Sequence, residues 1–435
     1  MALKILLVNK FYYPRGGDCV VMMNTESLLL SAGYEVAVYA MQYPETVDSP
    51  YKKYFASEVK FAGGLGEKVN GLKRTLGLGD ISESFTKLLN DFQPDVVHLH
   101  NIHSYLSPVL GQIAHSRGIR VVWTLHDYKL LCPSYSCMRD ARPCELCYTQ
   151  KCGVLKHRCM KGSLAASVIA WLEAKKWNRK VLESFTDAFI CPSEFMASKM
   201  ELGGFDTHKL KVLCNFVDPK KLEILRATDC TSRADYYCYV GRLSEEKGVR
   251  TLLEAASKVK HELRIAGGGP LTDELKAQYA HCPNIKFLGH LDAQGVASLL
   301  SQAKCSVMPS VCYENNPLGV IESLCAGTPV VGANIGGIPE LIGADTGIIF
   351  ESGNAEALAT SIDMAMSRTW HHPDIKAASI SRFSPERPPE NISKYLQWRN
   401  KRIINILYNI HSARFYIKVC TMIIFLYLCI IYWHN

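Results

Sequence analysis

Residues 309–331 read PSVCYENNPLGVIESLCAGTPVV, and this stretch leaves a predicted strand, turns and enters a predicted helix. We predict Asn316 as the N-cap and Pro317 as the first helical residue, since these residue types favour those positions. A helix start presents free backbone N–H groups and the positive end of the helix dipole, which suit a phosphate or a sugar hydroxyl oxygen. The stretch therefore predicts a ligand-binding helix start.

Two glutamates flank this helix start. Glu314 precedes the helix and Glu322 lies within it, with seven residues between them, so both can face one ligand lying across the helix start. The alternative is that Glu322 is a solvated helix residue and Glu314 only a loop charge. Taken alone, the two glutamates leave both interpretations open.

The rest of the chain alternates between short apolar runs and helix-length intervals, such as the helix-like Asp18–Ser31. In the first half, strands are predicted at Lys4–Val8, Glu35–Ala40, Asp95–His100, Arg120–Leu125, Ala188–Cys191 and Lys211–Cys214. In the second half, they are predicted at Tyr236–Val240, Glu262–Ala266, Ile285–Leu288, Cys305–Met308 and Pro329–Gly332. This alternation predicts an α/β protein in which two Rossmann-like, doubly wound domains face a cleft.

The predicted domain boundaries follow from the same pattern. We place the first domain at 1–218 and the second at 236–386, with the polar stretch 219–235 as the linker. Residues 387–435 are predicted to form a return helix and a hydrophobic, basic tail.

Composition bounds the class of protein. The 435 residues are 48% hydrophobic and 21% charged, which excludes a disordered, collagen-like or multi-span membrane chain. The net charge of +8 is spread along the sequence without a block of Lys and Arg residues. It therefore indicates anionic ligands or surfaces and not nucleic acid in particular. The odd count of 17 cysteines and the absence of a signal-peptide pattern favour the reducing cytoplasm.

The turn 240–248, VGRLSEEKG, carries Arg242 and Lys247 after a predicted strand. Fixed cations in such a turn suit an oxygen that gains negative charge as a bond breaks, because they stabilise the transition state more than the ground state. The alternative is two exposed charges in a polar turn.

In the first domain, the segment 11–18, FYYPRGGD, opens a helix after the first strand. Gly16 and Gly17 would let a ligand approach the backbone closely, although a tight turn also needs glycine. His126 and Asp127 end another strand, where an imidazole facing the cleft could bond a sugar hydroxyl. His98, His100 and His103 stand near a similar strand end, and for these we favour a role as buried core histidines.

Together these motifs resemble glycosyltransferase family 4. The spacing in 309–331 is followed by Gly336-Gly337-Ile-Pro-Glu340, and the turn 240–248 is similar to the family's diphosphate-binding turn. Residues 266–270 and 215–218 resemble the glycine turn after the next strand and the end of the first domain. The resemblance runs from about Lys4 to Ser384.

The resemblance implies a GT-B fold and sugar transfer from a nucleoside diphosphate sugar with retention of anomeric configuration, without a metal for the chemistry. The acceptor would be a lipid-linked or surface polysaccharide intermediate at the cytoplasmic membrane face. The implied catalytic residues are Glu314 and His126, with Asp127 on the acceptor side. The implied donor-binding residues are Arg242, Lys247, Glu322, Gly16, Gly17, Asn316 and Leu318.

Six cysteines crowd into the segment 132–159, and some bacterial members of the family have a similar insertion. Cys144 and Cys147 have the spacing of a zinc knuckle, and Cys152 and Cys159 could complete a four-sulfur structural zinc site. The alternative is reduced thiols in a mobile loop on the acceptor side.

The C-terminal tail contains a nearly apolar run at 415–433, interrupted by Lys418, downstream of several basic residues. Its length is at the low end for a membrane helix. An interfacial anchor, a short span and an altered terminus are all open, in that order of preference.

Two rival functions are open at this stage. A nucleotide-sugar epimerase can share the two-domain architecture and would change the sugar without an acceptor. A non-enzymatic binder of zinc and nucleic acid would explain the cysteines and the positive charge, but it leaves the Arg/Lys turn and the paired glutamates unexplained.

Overall fold

The computed structural model describes residues 2–59, 65–79, 81–140 and 142–385. The first eight strands are β1 (Lys4–Val8), β2 (Glu35–Tyr39), β3 (Val96–Leu99), β4 (Arg120–Thr124), β5 (Met138–Arg139), β6 (Arg142–Pro143), β7 (Ala188–Cys191) and β8 (Leu210–Val212). Six of these strands form a parallel sheet in the order β2-β1-β3-β4-β7-β8, and β5 pairs with β6 as a small antiparallel ribbon.

Helices cover both faces of this first sheet. They are α1 (Gly17–Ser31), α2 (Leu65–Thr75), α3 (Ile81–Phe92), α4 (Val109–Ser116), α5 (Gly153–Lys156), α6 (Leu164–Lys176), α7 (Arg179–Phe185) and α8 (Glu194–Leu202). Strand β1 shows why two layers are needed, because Leu6 and Val8 pack into one apolar cluster while Ile5 and Leu7 pack into another. A parallel strand buried on both faces needs a continuous apolar run, and β1 has one.

The second sheet is also parallel and has the order β11-β10-β9-β12-β13-β14. Its strands are β9 (Ala234–Val240), β10 (Glu262–Ala266), β11 (Ile285–Gly289), β12 (Ala303–Met308), β13 (Val330–Ala333) and β14 (Gly347–Phe350). The helices of this half are α9 (Pro219–Ala227), α10 (Val249–Ala256), α11 (Thr272–Gln278), α12 (Ala293–Gln302), α13 (Leu318–Cys325), α14 (Ile338–Leu341), α15 (Ala355–Ser367) and α16 (His372–Phe383).

The strand order determines where each sheet opens a crevice. In the second sheet the order reverses between β9 and β12, and in the first sheet it reverses between β1 and β3. Ligands of open α/β sheets bind outside the carboxyl ends of strands at such a reversal. A ligand is therefore expected to lie against the segments that follow β9, β12, β1 and β3.

The prediction of an α/β protein with two parallel-sheet domains is confirmed. The sequence pattern missed β14 and the β5–β6 ribbon. The segment predicted as the linker contains helix α9, whose Leu222 and Leu225 pack into the second apolar core. The exact domain boundaries stay a prediction.

The predicted return helix and tail, 387–435, lie outside the described residues, and so does the apolar run at 415–433. Within the described residues, no helix combines the length and the apolar character that crossing a membrane requires.

Candidate functional site

A lysine–glutamate pair lies at the reversal point of the second sheet. Lys247 follows β9 in a 3-10 turn, Glu314 follows β12, and the Lys247 Nζ donates to Glu314 Oε1 at 2.6 Å. The Ser310 hydroxyl donates to the same oxygen at 2.7 Å. Burial lowers the pKa of Lys247, but the Glu314 carboxylate outweighs it, so the pKa is raised and the ammonium stays charged.

Close backbone contacts hold the two loops of this pair. Gly248 ends the Lys247 turn with φ +67°, and a Cβ there would lie 1.9 Å from the carbonyl oxygen of Pro309. Gly336 has φ +62°, and a Cβ there would lie 2.3 Å from the carbonyl oxygen of Glu314. Only glycine fits both the backbone angle and the space at these two positions.

Arg242, the other predicted phosphate ligand, extends towards solvent. Its side chain is 63% exposed, and its guanidinium contacts the Glu246 carboxylate and the Ser244 hydroxyl. An exposed ion pair of this kind contributes little to stability, so the guanidinium could exchange Glu246 for a ligand at low cost.

The N-cap prediction for Asn316 was wrong. Helix α13 begins at Leu318 with Pro317 as its cap, and no side chain caps it. The Asn316 amide oxygen instead accepts the backbone N–H of Asn215 at 3.0 Å, and Asn215 Nδ2 donates to the Asn316 carbonyl at 2.9 Å. Asn316 is buried and bonds a segment 101 residues away, which local helix rules cannot anticipate.

The start of α13 still has free donors, because the first N–H groups of a helix have no partner within it. Leu318 is the first residue of that helix and is half-buried. Glu322, one turn further on, accepts from Lys221 Nζ of α9 at 2.6 Å. Its predicted contact with a ribose stays a prediction.

In the first sheet, Gly16 and Gly17 follow β1 at the start of α1. Gly16 has an extended backbone, and a Cβ on Gly17 would meet no protein atom within 4 Å. A Cβ on Gly16 would lie 3.3 Å from Asp18 Oδ1, so packing restricts that position, whereas no described residue restricts Gly17. The open space beside Gly17 is where a ligand could approach the backbone.

Two carboxylates lie near this glycine pair, bridged by an amide. Asn101 Nδ2 donates to Asp18 Oδ2 at 2.9 Å and to Asp127 Oδ2 at 3.4 Å. Burial alone would raise the pKa of Asp18, but Lys10, His126 and Asn101 lower it below the usual value. Burial raises the pKa of Asp127, so the two carboxylates differ in character.

His126 lies directly after β4, with its side chain against another histidine. Its Nε2 is 2.9 Å from Nδ1 of His100, and the planes of the two rings differ by 16°. Burial lowers the pKa of His126 to about 4. The imidazole is therefore neutral at pH 7, which suits hydrogen bonding to an uncharged hydroxyl.

Loops from the two sheets meet across the cleft. Asn315, the residue after Glu314, donates through Nδ2 to the carbonyl of His126 at 2.8 Å. The Glu340 carboxylate accepts the backbone N–H groups of Glu194 and Phe195 at the start of α8, at 2.9 and 2.6 Å. The structure thus brings the predicted residues Glu314 and His126 onto adjoining loops.

The cysteine-rich segment also reaches this cleft, through a glutamate. Glu145 Oε1 accepts from the Tyr313 hydroxyl at 2.8 Å and from Lys199 Nζ at 2.6 Å. Tyr313 immediately precedes Glu314. The cysteine-rich segment therefore supports the loop that carries Glu314.

The four-sulfur zinc prediction gains no support. Within the part of the chain that the structure describes, no group of three or more His, Cys, Asp or Glu side chains is arranged to hold a metal, and no cysteine is in a disulfide bond. Cys152 is exposed, whereas Cys147 is buried and approaches Cys132. Hydrogen bonds from Cys137 and Cys147 lower the pKa of the Cys132 thiol.

Sequence reasoning missed several residues of this site. Asp18, Asn101 and Ser310 were not singled out, and neither were the cleft contacts of Asn315 and Glu145. Asp18 and Asn101 had a usable signal, because each follows a strand that flanks the reversal point of the first sheet. The cleft contacts of Glu145 and Asn315 had no such signal in the sequence, since their partners lie more than a hundred residues away along the chain.

Buried histidines should make the protein sensitive to mild acid. Burial lowers the pKa of His98 to about 3 and that of His126 to about 4, below the ordinary 6.5. Between pH 6.5 and 4 the unfolded chain therefore binds more protons than the folded one, and stability falls as the pH falls. Each of these two histidines should lower the free energy of unfolding by about 1–2 kcal/mol as the pH falls from 6.5 to 5.

Urea unfolding at pH 7.0, 6.5, 6.0, 5.5 and 5.0 measures this loss. The interval lies above the ordinary pKa range of carboxylates, so histidines dominate it. A free energy of unfolding that stayed constant from pH 6.5 to 5 would contradict the neutral, buried state of these rings.

The fold can be compared with that of a solved structure. HepE from Anabaena, determined in complex with UDP and glucose, superposes with a TM-score of 0.58 over 91% of this chain and 99% of its own. The two sequences are 17% identical, so the likeness bears on the fold alone. The fold is GT-B, as the motifs led us to expect.

Family and relatives complete the comparison. Residues 16–221 match the family described as Glycosyltransferase Family 4, and residues 234–368 match Glycosyl transferases group 1. The two halves of the chain are therefore domains of these two glycosyltransferase families, and the expectation of a glycosyltransferase enzyme is confirmed.

Two relatives illustrate the similarity. An uncharacterized 42.6 kDa protein in the cps region of Klebsiella pneumoniae is 27% identical over 356 residues, which cover 78% of this chain and 87% of that protein. An uncharacterized glycosyltransferase of Methanocaldococcus jannaschii is 30% identical over 177 residues, which cover 37% of this chain. That match spans 45% of the Methanocaldococcus protein, less than half of its length.

Proposed function

We propose that this glycosyltransferase moves a sugar from a nucleoside diphosphate sugar to an acceptor, with retention of anomeric configuration. The observation that carries the proposal is the Lys247–Glu314 pair at the reversal point of the second sheet. It combines a fixed cation for the diphosphate with a carboxylate that can accept sugar hydroxyls. The UDP and glucose bound by HepE support a nucleotide sugar as donor.

The charge change during transfer explains why the pair would matter. As the glycosidic bond breaks, the departing diphosphate oxygen becomes more negative and the sugar ring gains oxocarbenium character. A charged Lys247 held in place stabilises that oxygen without reorganising, which lowers the barrier. Arg242 adds a second cation from the same turn, and the free N–H groups at the start of α13 add dipolar donors.

The first domain would complete the site from the other side of the cleft. Gly16 and Gly17 leave room for the phosphates, and neutral His126 can bond a sugar hydroxyl. Attack by the acceptor hydroxyl on the same face as the departing phosphate, with that phosphate taking the proton, would retain configuration. Glu314 is already bonded by Lys247 and Ser310, so it is better suited to hold the sugar than to attack it.

A surface polysaccharide intermediate is our proposed acceptor, and the inner face of the membrane our proposed location. The Klebsiella relative is described by its cps region, which supports such an acceptor. The net charge of +8 suits an anionic surface. Asp127, which accepts a hydrogen bond from Asn101, is our proposed residue on the acceptor side.

The test is a thermal-shift titration of the full chain with UDP, GDP, ADP and their sugars. A nucleotide sugar that binds the folded state must raise the melting temperature. Gly17→Ala should keep the ligand-free melting temperature, since its methyl meets no protein atom within 4 Å, yet lose at least half of the ligand-induced shift. Gly66→Ala, in α2, meets no atom within 4 Å either and serves as the matched control.

No shift with any nucleotide or nucleotide sugar would overturn the donor assignment. Equal shifts in Gly17→Ala and Gly66→Ala would remove the first domain's glycines from the site. A binding sugar nucleotide should then be incubated alone and with saccharide acceptors. Conversion of the sugar without an acceptor would indicate the epimerase alternative instead of transfer.

A further inference from the structure

Three histidines and a threonine form two cross-strand hydrogen bonds behind the site. Nε2 of His98 lies 2.7 Å from the Thr124 hydroxyl, and Nδ1 of His100 lies 2.9 Å from Nε2 of His126. Residues two apart on a strand share a face, so the two bonds lie one above the other on neighbouring strands. The rings of His98 and His100 are 4.3 Å apart, and we call the four side chains the imidazole ladder.

The outer nitrogens of this ladder are unpartnered. Nδ1 of His98 and Nε2 of His100 are buried and have no hydrogen-bond partner among the described residues. The two side chains are 2% and 1% exposed. Buried N–H groups without an acceptor are rarer than buried acceptors without a donor. Each unpartnered nitrogen is therefore the bare, unprotonated one.

This assignment propagates through the ladder. Burial holds the pKa of both rings below the usual value, so each is neutral and carries one proton. His98 must carry it on Nε2 and donate to Thr124, and His100 must carry it on Nδ1 and donate to His126. Since Nε2 of His126 accepts that bond, the single proton of neutral His126 is on its Nδ1.

We propose that His100 is a positioning residue that fixes His126 as the Nδ1–H tautomer, so that His126 presents a hydrogen-bond donor to an oxygen of the donor sugar. The identity of that ligand rests on the proposed function, but the tautomer does not. His126 then donates a hydrogen bond from Nδ1–H to a sugar hydroxyl oxygen, which accepts it. It does not serve as a base at neutral pH.

The surroundings leave the imidazole little other freedom. The carbonyl of His126 accepts the Asn315 amide at 2.8 Å, and the carbonyl of His100 accepts Trp123 Nε1 at 2.9 Å. Both histidine backbones are thus held, and the ring orientation is left to the bond between the two side chains. Lys10, after β1, and Asp18, in the first turn of α1, act on His126 with opposite effects on its pKa.

The tautomers can be read by NMR on the full chain labelled with ¹⁵N-histidine. Protonated and bare ring nitrogens have distinct ¹⁵N shifts and two-bond couplings, and His126→Gln assigns the His126 signals. We expect Nδ1–H for His126 and His100 and Nε2–H for His98. Thr124→Val should perturb the His98 signals and leave those of His126 in place.

Variants of His100 test the positioning role. His100→Leu should leave His126 as a mixture of tautomers and lower kcat/KM for the nucleotide sugar by about tenfold, the effect of one hydrogen bond. His100→Asn, whose amide N–H can replace Nδ1–H, should restore the single tautomer and most of the activity. The wild-type spectrum decides the tautomer even if His100→Leu does not fold.

A wild-type His126 protonated on Nε2 would overturn the proposal, and so would an unchanged His126 spectrum in a folded His100→Leu. If the spectra match the expectation while no nucleotide sugar binds, the proposed function fails and the tautomer assignment stands. The two conclusions are therefore separable.

Discussion

Replacing Lys247 by alanine should lower sugar transfer by about 10²–10³-fold, the usual cost of removing one preorganised group that stabilises charge in a transition state. Its ammonium is held 2.6 Å from Glu314 at the reversal point of the second sheet, where a departing diphosphate would lie. Because Lys247 is 31% exposed but Glu314 only 13%, the loss of this donor should lower the free energy of unfolding by about 1–3 kcal/mol. Initial rates with saturating acceptor measure the effect.

A matched control is available in the same sheet. Lys304, at the amino-terminal end of β12, makes an equivalent pair with Asp235 at 2.7 Å on the opposite edge of the sheet. Lys304→Ala should leave transfer unchanged, and Lys247→Arg should retain part of it by keeping the charge. Similar rates for the two alanine variants would exclude Lys247 from the site.

Glu314→Gln should reduce kcat/KM by at least two orders of magnitude. The glutamine side chain has nearly the volume of glutamate but lacks its negative charge. The Glu314 carboxylate uses that charge to hold the Lys247 ammonium and to accept the Ser310 hydroxyl. The variant therefore weakens both the sugar contact and the position of the lysine. Because the two residues act as a pair, the double variant with Lys247→Ala should lose less than the sum of the separate free-energy losses.

Asp235→Asn is the control for this second prediction, since it neutralises the carboxylate of the remote pair. The circular dichroism spectra and melting temperatures of Glu314→Gln and Asp235→Asn should both match those of the wild type. A Glu314→Gln enzyme within threefold of wild-type kcat/KM would refute the role of Glu314, whatever the result for Lys247. Additive losses in the double variant would show that the two residues act independently.

Much of the fold was predictable from local pattern. The strand Lys4–Val8 was predicted with the bounds that the structure has, because a continuous apolar run is what a strand buried on both faces requires. Strand β14 was missed, although Gly347–Phe350 is apolar, because a four-residue run carries little periodicity. The linker prediction missed the helix Pro219–Ala227, although Asp218 caps it and proline starts it.

The candidate site was predictable to a smaller degree. Lys247, Glu314 and His126 were placed near strand ends from the sequence, and the structure has them there. The N-cap prediction for Asn316 was wrong, since a helix cap and a distant backbone partner compete for the same amide, and its donor-binding role stays a prediction. Rules based on neighbouring residues predict the helix cap but not the distant backbone partner.

The sequence by itself determined the two parallel sheets and the strand ends that carry the chemistry, because periodicity and turn residues act over short distances along the chain. Only the tertiary structure decided which side chains meet. The Lys247–Glu314 pair, the amide of Asn315 on His126, and the contact of His100 with His126 each join residues far apart in sequence. Such contacts depend on how the loops approach across the crevices, and no local pattern encodes that approach.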